Sequence, residues 1–144
     1  MASPTDKMIA HDLRDVVVRL YRRLHKEISN PEQLSVAEQN VMYQLTQQQE
    51  LLPSELGARL NISSQYMSQV LNRLETIGYI QRTASPLDKR KTLVSLTNEG
   101  HLKVKQSRKE REEWIAGVIS KHYSTADKEI IRKAITLLAT LPDQ

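Results

Sequence analysis

The sequence predicts a mainly α-helical fold with one small β-hairpin, and three features of its 144 residues point there. Apolar residues recur at helical spacing through most of the chain. The pattern turns extended only around residues 79–83 and 92–96. Ser, Thr, Pro and Gly stand where helices would start or stop. The length suffices for one domain with a real core, or for a fold split into two lobes.

Composition narrows the class. Hydrophobic residues make up 39% and charged ones 26%, and no apolar run approaches the roughly 20 residues needed to cross a membrane. The stretch MASPTDKMIAHDL has neither the basic start nor the apolar core of a signal peptide, so a cytoplasmic location is expected. There are no cysteines, which excludes disulfides, zinc–thiolate sites and thiol redox switching within the chain. His11, His25, His101 and His122 form no ligand pair at i, i+4, so neither metal nor cofactor is expected. A Gly-rich phosphate loop, a nucleophile elbow and an HExxH motif are all missing, and no enzymatic step is expected.

In chain order, residues 6–28 place Ile9, Leu13, Val16, Val17, Leu20, Leu24 and Ile28 on one helical face, and Asn30-Pro31 breaks the pattern. Ser35 with Glu38 is a capping-box signature opening a second helix through Val41, Met42 and Leu45 toward Gln47–Gln49. Leu51-Leu52 reads as one short extended step. Pro53 starts a third helix, PSELGARL, with Leu56 and Leu60 pointing inward, and Asn61 suits the left-handed residue that ends it. Gly57 would let this helix sit close against the next.

The fourth helix follows Ser63, a plausible N-cap, and stops at Gly78. Met67, Val70, Leu71, Leu74 and Ile77 form its apolar stripe. Its other arc carries Gln65, Ser68, Gln69, Asn72, Arg73 and Thr76. Amides, hydroxyls and an arginine can hydrogen-bond base edges in a major groove, whereas an ordinary solvated helix tends to show paired Glu and Lys. Two short helices with such a second member form the helix-turn-helix pattern.

Residues 79–83 and 92–96 then read as strands, with Ile80, Val94 and Leu96 on the inner face and the basic, turn-rich segment 84–91 between them. A charged-tip hairpin directly after a recognition-type helix is a wing. Charge is concentrated here. Residues 53–95 hold six basic and three acidic side chains, Lys89-Arg90-Lys91 forms the densest cluster, and the net charge of the whole chain is +4. A polyanion partner is the expected consequence.

Thr97 caps a long, charged fifth helix from Asn98 to Tyr123, with only a thin apolar stripe before Trp114, Ile115, Val118 and Ile119. Ser124 with Asp127 opens a last helix bearing Ile130, Ile131, Ala134, Ile135, Leu138 and Leu141, stopped by Pro142. The first, fifth and sixth helices have apolar faces that a small central domain does not cover. Such faces need each other or a second subunit.

PSELGARLNISSQYMSQVLNRLETIGYI followed by DKRKTLVSLTNEG resembles the MarR family of winged helix-turn-helix transcription regulators, over almost the whole chain. The resemblance implies a homodimer on palindromic double-stranded DNA, with residues 1–34 and 98–144 as a helical dimerisation region and 35–97 as the winged DNA-binding domain. It implies DNA contacts from Ser64, Gln65, Tyr66, Ser68, Gln69, Asn72 and Arg73 on the recognition helix. The wing adds Lys89, Arg90 and Lys91, with Asp88 orienting an arginine and Arg90 entering the minor groove. Gln69 stands where many members carry an arginine. A small aromatic or anionic effector is also implied, with Tyr21, Arg22, His25, Tyr43 and Trp114 as candidate contacts, and core packing is the competing role for Tyr43 and Trp114. The competing function is a winged-helix protein-interaction module, which has less reason to carry bare positive charge at its hairpin tip.

Overall fold

The computed structural model describes all residues 1–144. Its elements are α1 (Pro4–Lys26), α2 (Val36–Gln47), α3 (Pro53–Leu60), α4 (Ser64–Ile77), β1 (Ile80–Ala84), β2 (Thr92–Leu96), α5 (Asn98–His122) and α6 (Thr125–Leu138), with a 3-10 turn at Leu141–Asp143. Four helix starts carry the expected caps. The Oγ atoms of Ser35, Ser63 and Ser124 and Thr97 Oγ1 each accept the backbone N–H three residues on, at 3.0–3.2 Å.

α5 ends one residue short of the sequence reading, at His122, and three other elements differ from it. α1 begins at Pro4, because Ser3 and Asp6 form a further capping box, and it ends at Lys26, leaving Ile28 buried in the following loop. α6 ends at Leu138, four residues ahead of Pro142, and Leu141 joins the 3-10 turn. The first strand is shifted by one residue, since Tyr79 N–H bonds to Leu74 O to close α4 and is not free to pair. Asn61 and Gly78 take the left-handed conformation expected of them, with φ of 53° and 95°.

The core is one cluster lying wholly between Leu34 and Leu96. Leu56, Leu71, Leu74 and Val94 are fully buried in it, and a buried leucine side chain contributes about 1.5–3 kcal/mol by leaving water. The hairpin pairs antiparallel with Ile80 opposite Leu96 and Arg82 opposite Val94. Leu51 adds a bridge on the other side of β2, exchanging both backbone hydrogen bonds with Val94 at 3.1 and 2.8 Å. Gly57 serves a different close approach from the one expected. A Cβ there would stand 2.9 Å from the Ile62 carbonyl oxygen, so the crowding is with the turn that follows α3.

α5 is docked onto this cluster at its first turn. Thr97 Oγ1 donates to Gly78 O at 2.6 Å, and Thr97 N–H donates to Tyr79 O at 3.0 Å. One turn on, Lys103 Nζ donates to Ser29 O at 2.8 Å and Glu32 Oε2 at 3.1 Å, while the Tyr79 hydroxyl donates to Glu32 Oε1. Burial alone would raise the Glu32 carboxyl, but the hydrogen bonds from Tyr79, its own backbone and Lys103 outweigh it and hold the group below its ordinary value. Burial first, then the Glu32 carboxylate, push the Tyr79 phenol up to about 12.

Two predictions follow from this junction. A Cβ on Gly100 would meet the Tyr79 carbonyl oxygen at 2.1 Å, whereas one on Gly117 meets nothing within 4 Å. Gly100→Ala is expected to destabilise by about 1–3 kcal/mol in urea unfolding at fixed protein concentration, and Gly117→Ala to be neutral or stabilising by up to about 1 kcal/mol. Equal effects would contradict the packing. A phenol raised on folding contributes stability that is complete below its unfolded value near 10 and lost as pH rises toward 12. The stability advantage of the wild type over Tyr79→Phe should therefore be constant below about pH 10 and vanish toward pH 12; a pH-independent difference would refute it.

Candidate nucleic-acid interface

The buried stripe of α4, namely Met67, Val70, Leu71 and Leu74, fixes which side of the helix meets solvent. Ser64, Gln65, Tyr66, Ser68, Gln69 and Asn72 are all exposed along the outer side. Their amides and hydroxyls lie in rows one turn apart, at 65, 68, 69 and 72, which is the spacing that one groove-facing helix edge presents.

Arg73 departs from this row. Its guanidinium turns back over α4 to the α2 carboxylate, with Nη1 2.6 Å from Glu38 Oε1 and also bonded to Oε2, while Nη2 donates to the Glu32 carbonyl oxygen. Glu38 is 6% exposed. A carboxylate buried to that degree needs a cationic or hydrogen-bonding partner, so the geometry gives Arg73 a structural task that its place on the wheel did not disclose.

The wing tip is built around Asp88. Its Oδ1 accepts from the Arg90 backbone N–H at 3.0 Å and from Arg90 Nε at 3.2 Å, and Oδ2 accepts from Arg90 Nη2 at 3.3 Å. Those bonds, the side-chain one foremost, hold the Asp88 carboxyl below its ordinary range. The Arg90 side chain is 91% exposed. An ion pair so open to water contributes little to stability, and its physical effect is to aim the guanidinium. Lys89 and Lys91 flank it, also exposed. One residue absent from the expected set is Arg82 on β1, which reaches α4: its Nη2 donates to Asn72 Oδ1 at 2.8 Å. Its place as the third residue of a strand next to a polar helix was the only signal available.

A cleft of about 230 Å³ opens between α1, α2 and α5, lined by Tyr21, Leu24, His25, Gln39, Asn40, Tyr43 and Arg111. Tyr21 and His25 stack edge to face at 4.4 Å. Gln39 Oε1 receives both His25 Nδ1 at 2.9 Å and Arg111 Nη2 at 3.1 Å. An amide oxygen only accepts, so His25 Nδ1 is the donor, and Nε2 is left buried and without a partner. Burial lowers the Arg111 guanidinium below its ordinary value. Three expected contacts, Tyr21, His25 and Tyr43, thus converge. Tyr43 is 51% exposed, so core packing is not its role. Arg22 faces solvent and does not line the cleft, and Trp114 lies elsewhere, with the Arg23 guanidinium 5.1 Å from its ring centre. Gln39, Asn40 and Arg111 were missed. Polar side chains beside the apolar stripe of α2 were a usable signal for the first two, whereas Arg111 lies indistinguishable within the run KEREE.

Residues 34–92 match the model of the MarR family. Over 141 residues, covering 97% of this chain and 96% of its own, a helix-turn-helix-type transcriptional regulator of Mycobacterium bovis is 29% identical. A solved Pseudomonas aeruginosa protein described as a transcriptional regulator is also 29% identical, superposes with a TM-score of 0.84 and covers 99% of both chains. A cysteine-to-serine variant of MarR from Escherichia coli, solved with operator DNA, shares the fold at a TM-score of 0.62 and 19% identity, covering 95% of this chain and 99% of its own.

The two polar residue types on α4 should separate in stability measurements. Arg73→Ala strands the Glu38 carboxylate and is expected to cost about 2 kcal/mol in urea unfolding, while Gln69→Ala should stay within about 0.5 kcal/mol. A larger stability loss for Gln69→Ala would reverse the assignment.

Proposed function

We propose that the chain, whose residues 34–92 match the MarR family model and which is 29% identical to a helix-turn-helix-type transcriptional regulator, is a MarR-family homodimeric repressor that reads a palindromic operator and is released by a small molecule. The observation that carries the reading is the pairing of an uncharged, hydrogen-bonding row on α4 with a wing tip whose arginine is aimed by Asp88. Gln65, Ser68, Gln69 and Asn72 would read base edges in the major groove, with Ser64 and Tyr66 at its margin. Arg90, Lys89 and Lys91 would contact backbone and minor groove, where readout is degenerate and affinity is largely electrostatic.

Support for the dimer, and for the division into residues 35–97 and the flanking 1–34 and 98–144, comes from apolar surface. No residue of α1 or α6 is buried, and Met8, Ile9, Ile130, Ile135 and Leu137 are each 59–74% exposed. Large apolar side chains left exposed along two helices with nothing buried mark an association face. Support for an effector comes from the cleft. Arg111 offers a partly buried cation for an anionic group, Tyr21 and Tyr43 offer ring surface, and His25 Nε2 offers a ring nitrogen without a partner.

Gel shifts with DNA flanking the encoding gene, repeated across a salt series, test the proposal. Tight binding to one duplex and weak binding to its scrambled counterpart are expected, with half-sites about 10 base pairs apart. Arg90→Ala should weaken both and reduce the slope of log affinity against log salt by about 1. Deleting residues 124–144 should abolish the dimer in sedimentation together with tight binding. A monomeric truncation that still binds tightly, or a footprint without two-fold character, would overturn it.

A further inference from the structure

We propose that Arg82 on β1 sets base specificity by acting through Asn72, turning that position of the recognition helix toward guanine in preference to adenine. This rests on the reading of α4 as the groove-facing helix. Arg82 Nη2 lies 2.8 Å from Asn72 Oδ1. Which amide atom faces the guanidinium is settled by chemistry, because arginine has only donors and the facing atom must therefore be the oxygen. Arg82 is itself held in place. Its Nε is 3.5 Å from Glu75 Oε1, one turn along α4, and this buried nitrogen has no well-made hydrogen bond. Asn72 is exposed, and its NH₂ group has no partner within the protein. The amide therefore meets its target in one orientation, oxygen toward the wing strand and NH₂ outward.

A freely rotating asparagine pairs with adenine through both ends, its oxygen accepting from N6–H₂ and its NH₂ donating to N7. Here the oxygen already holds a charge-assisted bond that fixes its direction. Its second lone pair is open, but an adenine amino group using it would come up beside a cation. Guanine offers two acceptors, O6 and N7, to the outward NH₂ and to the same positive charge. Thymine offers the single acceptor O4, and cytosine offers a donor. Guanine is favoured first and thymine second on these grounds, with adenine and cytosine disfavoured. Arg82 is a positioning residue in this scheme, and Asn72 makes the contact.

The experiment is selection of duplexes from a randomised pool by the full-length wild type, Asn72→Ala, Arg82→Leu and Arg82→Lys, with a thermal melt of each protein. The wild type should enrich guanine over adenine roughly tenfold at one position of each half-site. Asn72→Ala should flatten that position and no other. Arg82→Leu should move it toward adenine while the remaining positions keep their preference, an effect that loss of stability alone does not produce. Arg82→Lys, which has donors only, should retain guanine. Should Arg82→Leu fail to fold, the profiles of wild type and Asn72→Ala decide. Adenine at the wild-type position, no position flattened by Asn72→Ala, or guanine retained by a folded Arg82→Leu would overturn the proposal. A wild type that enriches no sequence at all would overturn the DNA-binding reading beneath it.

Discussion

The Glu38 carboxylate is the constraint on which the winged domain depends. It closes the capping box of α2 by accepting from Ser35 N–H, and it is nearly out of contact with water. An ionised group in that position costs several kcal/mol unless it is paired. Arg73 supplies the pair from α4 and carries a second bond onward to the loop at Glu32. One short acidic side chain thereby fixes the start of α2, the roll of α4 and the path of the connection from α1. The apolar stripe of α4 selects which side is buried. The ion pair supplies a directional restraint that greasy contacts, which tolerate small sliding, do not.

α5 joins the two ends of the molecule through the same neighbourhood. Its first turn is seated on the Tyr79 carbonyl by a glycine, and its second is tied by Lys103 to Glu32 and Ser29. Farther along, Arg111 reaches Gln39, the residue directly after Glu38. The cleft and the recognition helix therefore meet adjacent residues of α2. The Arg111 contact to Gln39 thus lies one residue from the carboxylate that holds α4.

Much of this was legible in the sequence because the signals were local. Ser35-x-x-Glu38, Ser63, Asn61, Gly78 and Thr97 mark ends whose geometry depends on a few neighbouring residues, and the 67–70–71–74 stripe needs only helical periodicity. What stayed hidden came from contacts distant in sequence. A helical wheel places Arg73 on the exposed polar arc, where it lies, but gives no sign of the buried acid 35 residues earlier that it pairs with. The same applies to Arg111 and Gln39, separated by 72 positions. Tyr43 and Trp114 looked like core residues by type, yet neither belongs to the cluster that holds the winged domain together. Aromatic identity signals burial only on average. The end of α6 was misplaced because proline marks where a helix cannot continue and does not prevent it from stopping earlier.

The hydrogen bond from Arg82 to Asn72 crosses from the strand to the helix. Recognition helices are often treated as cassettes to be exchanged between scaffolds. In this protein a transplanted α4 would take along its glutamines and Asn72 but leave behind the guanidinium that orients one of those amides, while the recipient strand would present whatever side chain it happened to carry. The portable module here is the helix together with the first strand of the wing.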